Sequence, residues 1–271
     1  MEQQSKNNVN LLSQFDTEYR AILNPDEIIK RAENFPETVV LNFTKSIIDK
    51  WAGMNNVRTV SNLYSANGVN PVYAIKYKEV EIGFTMVLVG ASSAAGICEE
   101  LIAMGAKKII AFGSCGVLDR SIADGHIIIP YEAIRDEGTS YHYAPPSDSI
   151  FMNENCVQAL ESVLAEFEYP YIKGKTWTTD AIYRETRTKA ENRKKMGCVC
   201  VEMECSAMIA VCAFRNVPFA QFLYAADNLD SDVWEQRGLD VNQGLSCSER
   251  YMQIAFECAL KLQSKKNSRQ K

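Results

Sequence analysis

Strand-like and helix-like segments alternate along most of this 271-residue chain, and one helix-like segment is apolar on every side. That segment, "SAMIAVCAF" (206–214), has no polar stripe, so it belongs between a sheet and a second layer rather than on a surface. Before it come strand-like "ETVVLNF" (37–43), short helix candidate "TKSIIDKWAG" (44–53), and "NPVYAIKYKEVEIGFTMVLVG" (70–90), which reads as two strands with a charged turn at Lys78-Glu79. Helix "SAAGICEELIAMGA" (93–106), strand "KKIIAFG" (107–113), strand "GHIIIPYEAI" (125–134) and amphipathic helix "NENCVQALESVLAEF" (153–167) follow. Strand "YPYIKGKTWT" (169–178), helix "TRTKAENRKKMG" (186–197), strand "CVCVEM" (198–203), strand "VPFAQFLYAAD" (217–227) and a closing helix near 245–264 complete the order. Such alternation predicts an α/β layered fold, one domain with a central mixed sheet flanked by helices. No internal repeat or linker divides it, so the expected organisation is an arm (1–36), a domain (37–264) and a basic tail (265–271).

Composition narrows the function classes. With 46% hydrophobic and 23% charged residues the chain reads as globular, and no apolar run approaches the roughly 20 residues of a membrane helix. The first 20 residues lack the apolar core of a signal peptide. A net charge of −5 argues against a nucleic acid polymer as partner. Nine cysteines, an odd number with no CxxC pair, sit mostly in apolar segments and read as reduced thiols of a cytoplasmic protein. With only two histidines and no close ligand pairs, no metal is expected.

Ligands of open α/β sheets collect where strands run out into helices. Four stretches lie at such places. "GASSAAG" (90–96) and "FGSCG" (112–116) read as small-residue turns, whose successive N–H groups either cradle an anion or simply need glycine for tightness. "VEMECSAM" (201–208) puts two carboxylates around a methionine inside an apolar run, where an unpaired carboxylate is costly. Glu204 there either accepts the two hydroxyls of a ribose, with Met203 beneath the sugar, or is an ordinary acid in a first helical turn. In "YAADNLD" (224–230), Asp227 is either a general acid at the mouth of a low-dielectric pocket or half of a turn-forming Asp-Asn pair.

In order, these stretches resemble the nucleoside phosphorylase family: uridine phosphorylase, the hexameric purine nucleoside phosphorylases and the methylthioadenosine/S-adenosylhomocysteine nucleosidases. The resemblance runs from about Val39 to about Asp230 and is most specific at "VEMECSAM". It implies ribose contacts at Met203 and Glu204, with Glu202 a weaker one, and anion contacts at Gly113 and Ser114. It puts Cys115 and Gly116 on the base side, and through "WTTDAIYRET" (177–186) it puts Ile182 and Tyr183 at the base. Glu185 and Arg187 fall near the positions that read uracil in uridine phosphorylases, and "RDEGTSYHYAPP" (135–146) is closest to that branch, with His142 on its histidine. Asp227 instead matches the aspartate that protonates purine N7, so the motifs point to both base classes.

Two departures stand out. Where the family's phosphorylases carry a Gly-Asp-Pro-x-Arg loop this chain reads "NFTKS" (42–46), and Ala111 stands where they carry a second phosphate-binding arginine. The resemblance implies cleavage of an N-glycosidic bond with phosphate as co-substrate, no organic cofactor, and a homodimer or hexamer. The lost arginines leave water as the alternative acceptor, and a nucleoside-binding protein without turnover as a third reading. If phosphate is used, a replacement cation is expected near Ser114, with Arg135, Lys45, Arg184 and Arg120 as candidates within the chain and an arginine of a neighbouring subunit as another.

Overall fold

The computed structural model describes residues 10–237 and 244–264; the expected basic tail and the first nine residues of the arm lie outside them. Ten strands make the sheet: β1 (Thr38–Asn42), β2 (Val57–Ser65), β3 (Gly68–Tyr77), β4 (Val80–Met86), β5 (Lys108–Val117), β6 (Ile127–Asp136), β7 (Ser149–Phe151), β8 (Tyr171–Thr179), β9 (Cys198–Glu202) and β10 (Phe219–Asn228). The helices are α1 (Pro25–Ile28), α2 (Lys45–Ala52), α3 (Ala91–Met104), α4 (Glu154–Glu166), α5 (Arg187–Lys195), α6 (Cys205–Phe214) and α7 (Gly244–Ser264).

The strand order is β10-β6-β8-β9-β5-β1-β4-β3-β2, and β10 also pairs with β5. The strands β5, β9, β8, β6 and β10 therefore close a ring, and β1 to β4 extend from it as an open wing. Pairings are mixed: β1 with β4 and β5, β5 with β10, and β8 with β6 and β9 are parallel, while β5–β9 and β6–β10 are antiparallel. The strands β1 and β5 are buried almost throughout, as the continuous apolar runs of parallel strands require. Lys78 and Glu79, both at positive φ, make the two-residue turn of the β3–β4 hairpin.

Helix α6 lies where its sequence demands, with Cys205 to Cys212 buried without interruption between the sheet and α3. Its polar members join a chain of hydrogen bonds. Ser206 Oγ donates to Glu137 Oε1 at 2.8 Å, and Ser206 N donates to Thr178 Oγ1 at 3.1 Å. The eight described cysteines are all buried thiols; the side chain of Cys247 lies outside the described residues. No helix among the described residues is long and apolar enough to cross a membrane.

The segment 112–116 differs from expectation. Instead of a glycine-rich turn it continues β5, with Gly113, Ser114 and Cys115 in register with Leu223, Tyr224 and Ala225 of β10. Residues in such a ladder direct their N–H groups along the sheet, so they do not converge on an anion. The turn at 90–96 is also narrower than expected, because α3 begins at Ala91 and only Gly90, at φ 109°, remains outside it.

Candidate active site

A cavity of about 580 Å³ opens at the carboxyl ends of β1, β5, β9 and β10. Its wall holds Phe43, Val89, Ser114, Cys115, Gly116, Ile182, Tyr183, Glu185, Arg187, Val201, Glu202, Met203, Glu204, Asp227, Leu229 and Trp234, among others. Most residues expected at a site are therefore brought together. Three are not.

The strand-to-helix step from β9 to α6 sets the acidic wall. Glu202 ends β9 and turns its carboxylate back on the chain. Its Oε2 accepts from the amides of Glu204 (2.7 Å) and Cys205 (2.6 Å), satisfying two of the free donors at the start of α6. Its Oε1 accepts from Thr178 Oγ1 (2.6 Å) and Thr176 Oγ1 (3.3 Å). A carboxylate offers about four acceptor positions, so Glu202 is spent within its own chain. Burial nonetheless pushes its carboxyl upward, against the pull of those donors.

Glu204 lies two residues on, 5% exposed, and its Oε1 accepts from Gly90 N at 2.6 Å, tying the turn before α3 to the start of α6. Burial first, and then the nearby Glu202 charge, push its carboxyl up to about 8, while the amides of Gly90 and Met203 oppose the shift.

Asp227 reaches the cavity through an irregularity. Along the β10–β5 ladder Ala225 faces Cys115 and Asp227 faces Gly116, so Ala226 is an extra residue and the strand bulges. Gly116 permits the approach: a Cβ there would meet Leu229 Cδ1 at 2.4 Å and Asp227 Oδ1 at 3.1 Å. Burial raises the Asp227 carboxyl, and the Trp234 indole, whose Nε1 donates to Oδ2 at 2.8 Å, pulls it down. Glu185, ahead of α5, is pushed to about 7, by burial first and then by the Asp227 charge.

The residues outside the cavity are Gly113, Arg135 and His142. Gly113 carries no space for an anion, because its Cα packs on Phe43; a Cβ there would lie 2.8 Å from the ring. Arg135, expected at the anion, is only 5% exposed and has its donors spent elsewhere. It donates to Ser140 Oγ (2.8 Å), Pro145 O (2.7 Å), Ser147 Oγ (2.9 Å) and Ala144 O (3.3 Å), and its guanidinium lies 4.0 Å from the Tyr141 ring centre. Its work is to fold the 139–147 loop. His142 sits exposed on the short 3₁₀ turn Thr139–His142, outside the cavity.

The expected replacement cation does not line the cavity within this chain. Lys45 pairs with Asp49 at 2.6 Å, Arg120 faces Asp230 at 3.7 Å, and Arg184 stands on the exposed turn Ile182–Arg184. Among the described residues the cavity wall holds one basic side chain, Arg187, against four carboxylates, and Arg187 Nη2 donates to the carbonyls of Ser231 (3.2 Å) and Asp232 (3.1 Å). Beside Ser114 the polar groups are neutral: the Thr44 and Ser114 hydroxyls both act on the Tyr224 phenol, which burial pushes upward and they pull down.

Sequence reasoning missed Phe43, Val89, Leu229 and Trp234. Phe43 and Val89 follow β1 and β4, and their place at strand ends was the available signal. Trp234 lies in a polar loop with no motif, and only its closeness in sequence to Asp227 hinted at it.

The fold and the cavity define an α/β protein with a carboxylate-rich cavity at the carboxyl ends of its strands. The model of the phosphorylase superfamily matches residues 54–260, more than half of the chain, and the chain belongs to that superfamily. It is 35% identical over 108 residues to a uridine phosphorylase of Thermococcus kodakarensis, a match covering 40% of this chain and 39% of the relative. It is 24% identical over 211 residues to a DeoD-type purine nucleoside phosphorylase of Shewanella oneidensis, covering 77% and 86%. The chain thus spans under two thirds of the archaeal relative's length. Among solved structures, a purine nucleoside phosphorylase from Toxoplasma gondii in complex with immucillin-H superposes with a TM-score of 0.72 at 21% identity, covering 85% of this chain and 94% of that one. That likeness establishes the shared fold.

Proposed function

We propose that this protein is a nucleoside phosphorylase, which cleaves the N-glycosidic bond of a ribonucleoside and transfers the ribosyl group to phosphate. The observation that carries the reading is the joint placing of Met203, Glu204, Asp227 and Ser114 on one cavity. Glu204 accepts the ribose 2′ and 3′ hydroxyls. Those donors favour its charged form over the neutral one that burial favours, so substrate binding brings a carboxylate beside the sugar. That charge is then in place as the ribose takes on oxocarbenium character, where preorganised electrostatics lower the barrier most.

Asp227, half-buried beside Gly116 with its carboxyl raised, is the proton donor to the departing base. Such a donor suits a purine, whose N7 takes the proton, and Ile182 and Tyr183 give the base an aromatic and aliphatic bed. The acceptor approaches from the Ser114 side, guided by hydroxyls.

One observation favours a second reading. The wall carries four carboxylates and no cation beside Ser114 among the described residues, which suits water better than a dianion. Incubating inosine and uridine with and without phosphate, and following products by ³¹P NMR and chromatography, separates the two. Phosphate-dependent release of base with ribose 1-phosphate is the expected result. Equal rates without phosphate and free ribose make the protein a hydrolase, and no base release from any nucleoside makes it a binding protein.

A further inference from the structure

The segment after β10 carries no recognisable motif, yet it is fastened to the rest of the molecule at four points. Asp230 accepts from Arg120 N at 3.1 Å and pairs with Lys194. The carbonyls of Ser231 and Asp232 receive the Arg187 guanidinium. Glu235 and Asn228 exchange main-chain hydrogen bonds of 2.9 and 3.2 Å, reinforced by Asn228 Nδ2 to Glu235 Oε2 at 2.8 Å. Arg237 Nη1 donates to Ile122 O at 2.8 Å.

This strap bends back over the strand end and sets the Trp234 indole on Asp227, Nε1 to Oδ2 at 2.8 Å. The other carboxylate oxygen, Oδ1, lies against Gly116, where a Cβ would come within 3.1 Å of it. So the carboxyl group is fixed from two sides. Trp234 itself is 57% exposed, so packing alone does not account for its place.

We propose that Trp234 is a positioning residue for Asp227: its indole N–H holds one carboxyl oxygen, leaves the other for the base, and stabilises the carboxylate that remains after the proton departs. This rests on the reading of Asp227 as proton donor. The proton passes from Asp227 to the base nitrogen as the C–N bonding pair leaves with the base. Trp234 keeps its own proton throughout, since an indole N–H donates a hydrogen bond and cannot accept one. The bond therefore favours the charged carboxylate, while burial favours the neutral acid. Glu185 ahead of α5, Cys115 of β5 and Arg237 of the strap are the other ionisable groups acting on Asp227, with Glu202 and Glu204 at the end of β9 on the same cavity wall.

The test is Trp234→Phe, which keeps a ring and deletes the donor. A hydrogen bond to a charged group of this kind is worth roughly tenfold to a hundredfold. With inosine, kcat should fall by about that factor while KM changes little. With 4-nitrophenyl riboside, whose leaving group needs no proton, kcat should hold. Independently of turnover, ¹³C NMR of the Asp227 carboxyl, assigned through Asp227→Asn, should show its titration midpoint about one pH unit or more higher in the Phe variant. An unchanged midpoint, or equal kcat losses on both substrates, overturns the proposal. If the wild-type protein cleaves neither substrate, the proposed function fails and the carboxyl titration alone decides whether Trp234 holds Asp227.

Discussion

Glu202 accepts hydrogen bonds from two hydroxyls and two amides of its own chain, whereas Glu204, one methionine later, meets no side-chain donor among the described residues. Both are almost fully buried and both face the same cavity. A carboxylate whose acceptor positions are filled by the chain holds the chain together. One that keeps acceptor capacity at a cavity wall has it available for a ligand. The pair at "VEMEC" therefore divides into a strut and, on the proposed function, a grip, and spacing in sequence does not say which is which.

A third carboxylate gives the largest expected effect. Asp227→Asn removes the proposed proton donor, and purine nucleoside cleavage should slow by roughly 10²–10⁴. Uridine, whose leaving base is not protonated at N7, should lose less; equal losses on both would count against the assignment. Next is the strut. Glu202→Ala strands buried hydroxyls and two amides, at about 1–3 kcal/mol for each group left unsatisfied, so denaturant unfolding should show a loss on the order of 3–5 kcal/mol. A loss under about 1 kcal/mol would erase the contrast between the two glutamates.

Acid–base behaviour should separate them further, with a smaller effect. The Glu204 carboxyl lies near 8 in the folded protein, above its ordinary value of 4.5. The folded state then binds the proton more tightly than the unfolded one, so this contribution is complete below about 4.5 and is lost as pH rises towards 8. Glu204→Gln should abolish that decline, and its Tm should gain on the wild type between pH 5 and 8 in the absence of ligand. A Tm difference that is flat across this range would contradict the shift. The smallest effect belongs to Arg135. Arg135→Lys loses the forked contacts to the 139–147 loop and should cost about 1–3 kcal/mol of stability, with the phosphate dependence of the rate unchanged. A raised KM for phosphate would return Arg135 to the anion site.

Much of this architecture was legible. The buried strands β1, β5 and β10 announce themselves as apolar runs, and α6 as a helix without a polar face. What escaped has a physical reason in each case. The sequence "FGSCG" looks like a turn because glycine is rich in it, but Gly113 and Gly116 serve close approaches by Phe43 and by Asp227 with Leu229 inside a strand. The strand β2, with intermediate and exposed residues along most of its length, has no apolar run to reveal it. Arg135 carries the right charge for an anion site, and only the fold shows that the loop after it consumes every donor named above. Trp234 depends on a strap whose fastenings, from Arg187, Lys194 and Ile122, are scattered along the chain.

The central claim is that Glu204 grips the ribose hydroxyls, and a cycle of two changes tests it most directly. The kcat/KM of wild type and Glu204→Gln is measured on inosine and on 2′,3′-dideoxyinosine. With inosine the substitution should cost on the order of 10²-fold, the value of a transition-state hydrogen bond to a charged group. With the dideoxy substrate, which offers nothing to grip, the two proteins should be nearly equal. The same penalty on both substrates would contradict the assignment and leave Glu204 a structural acid like its neighbour.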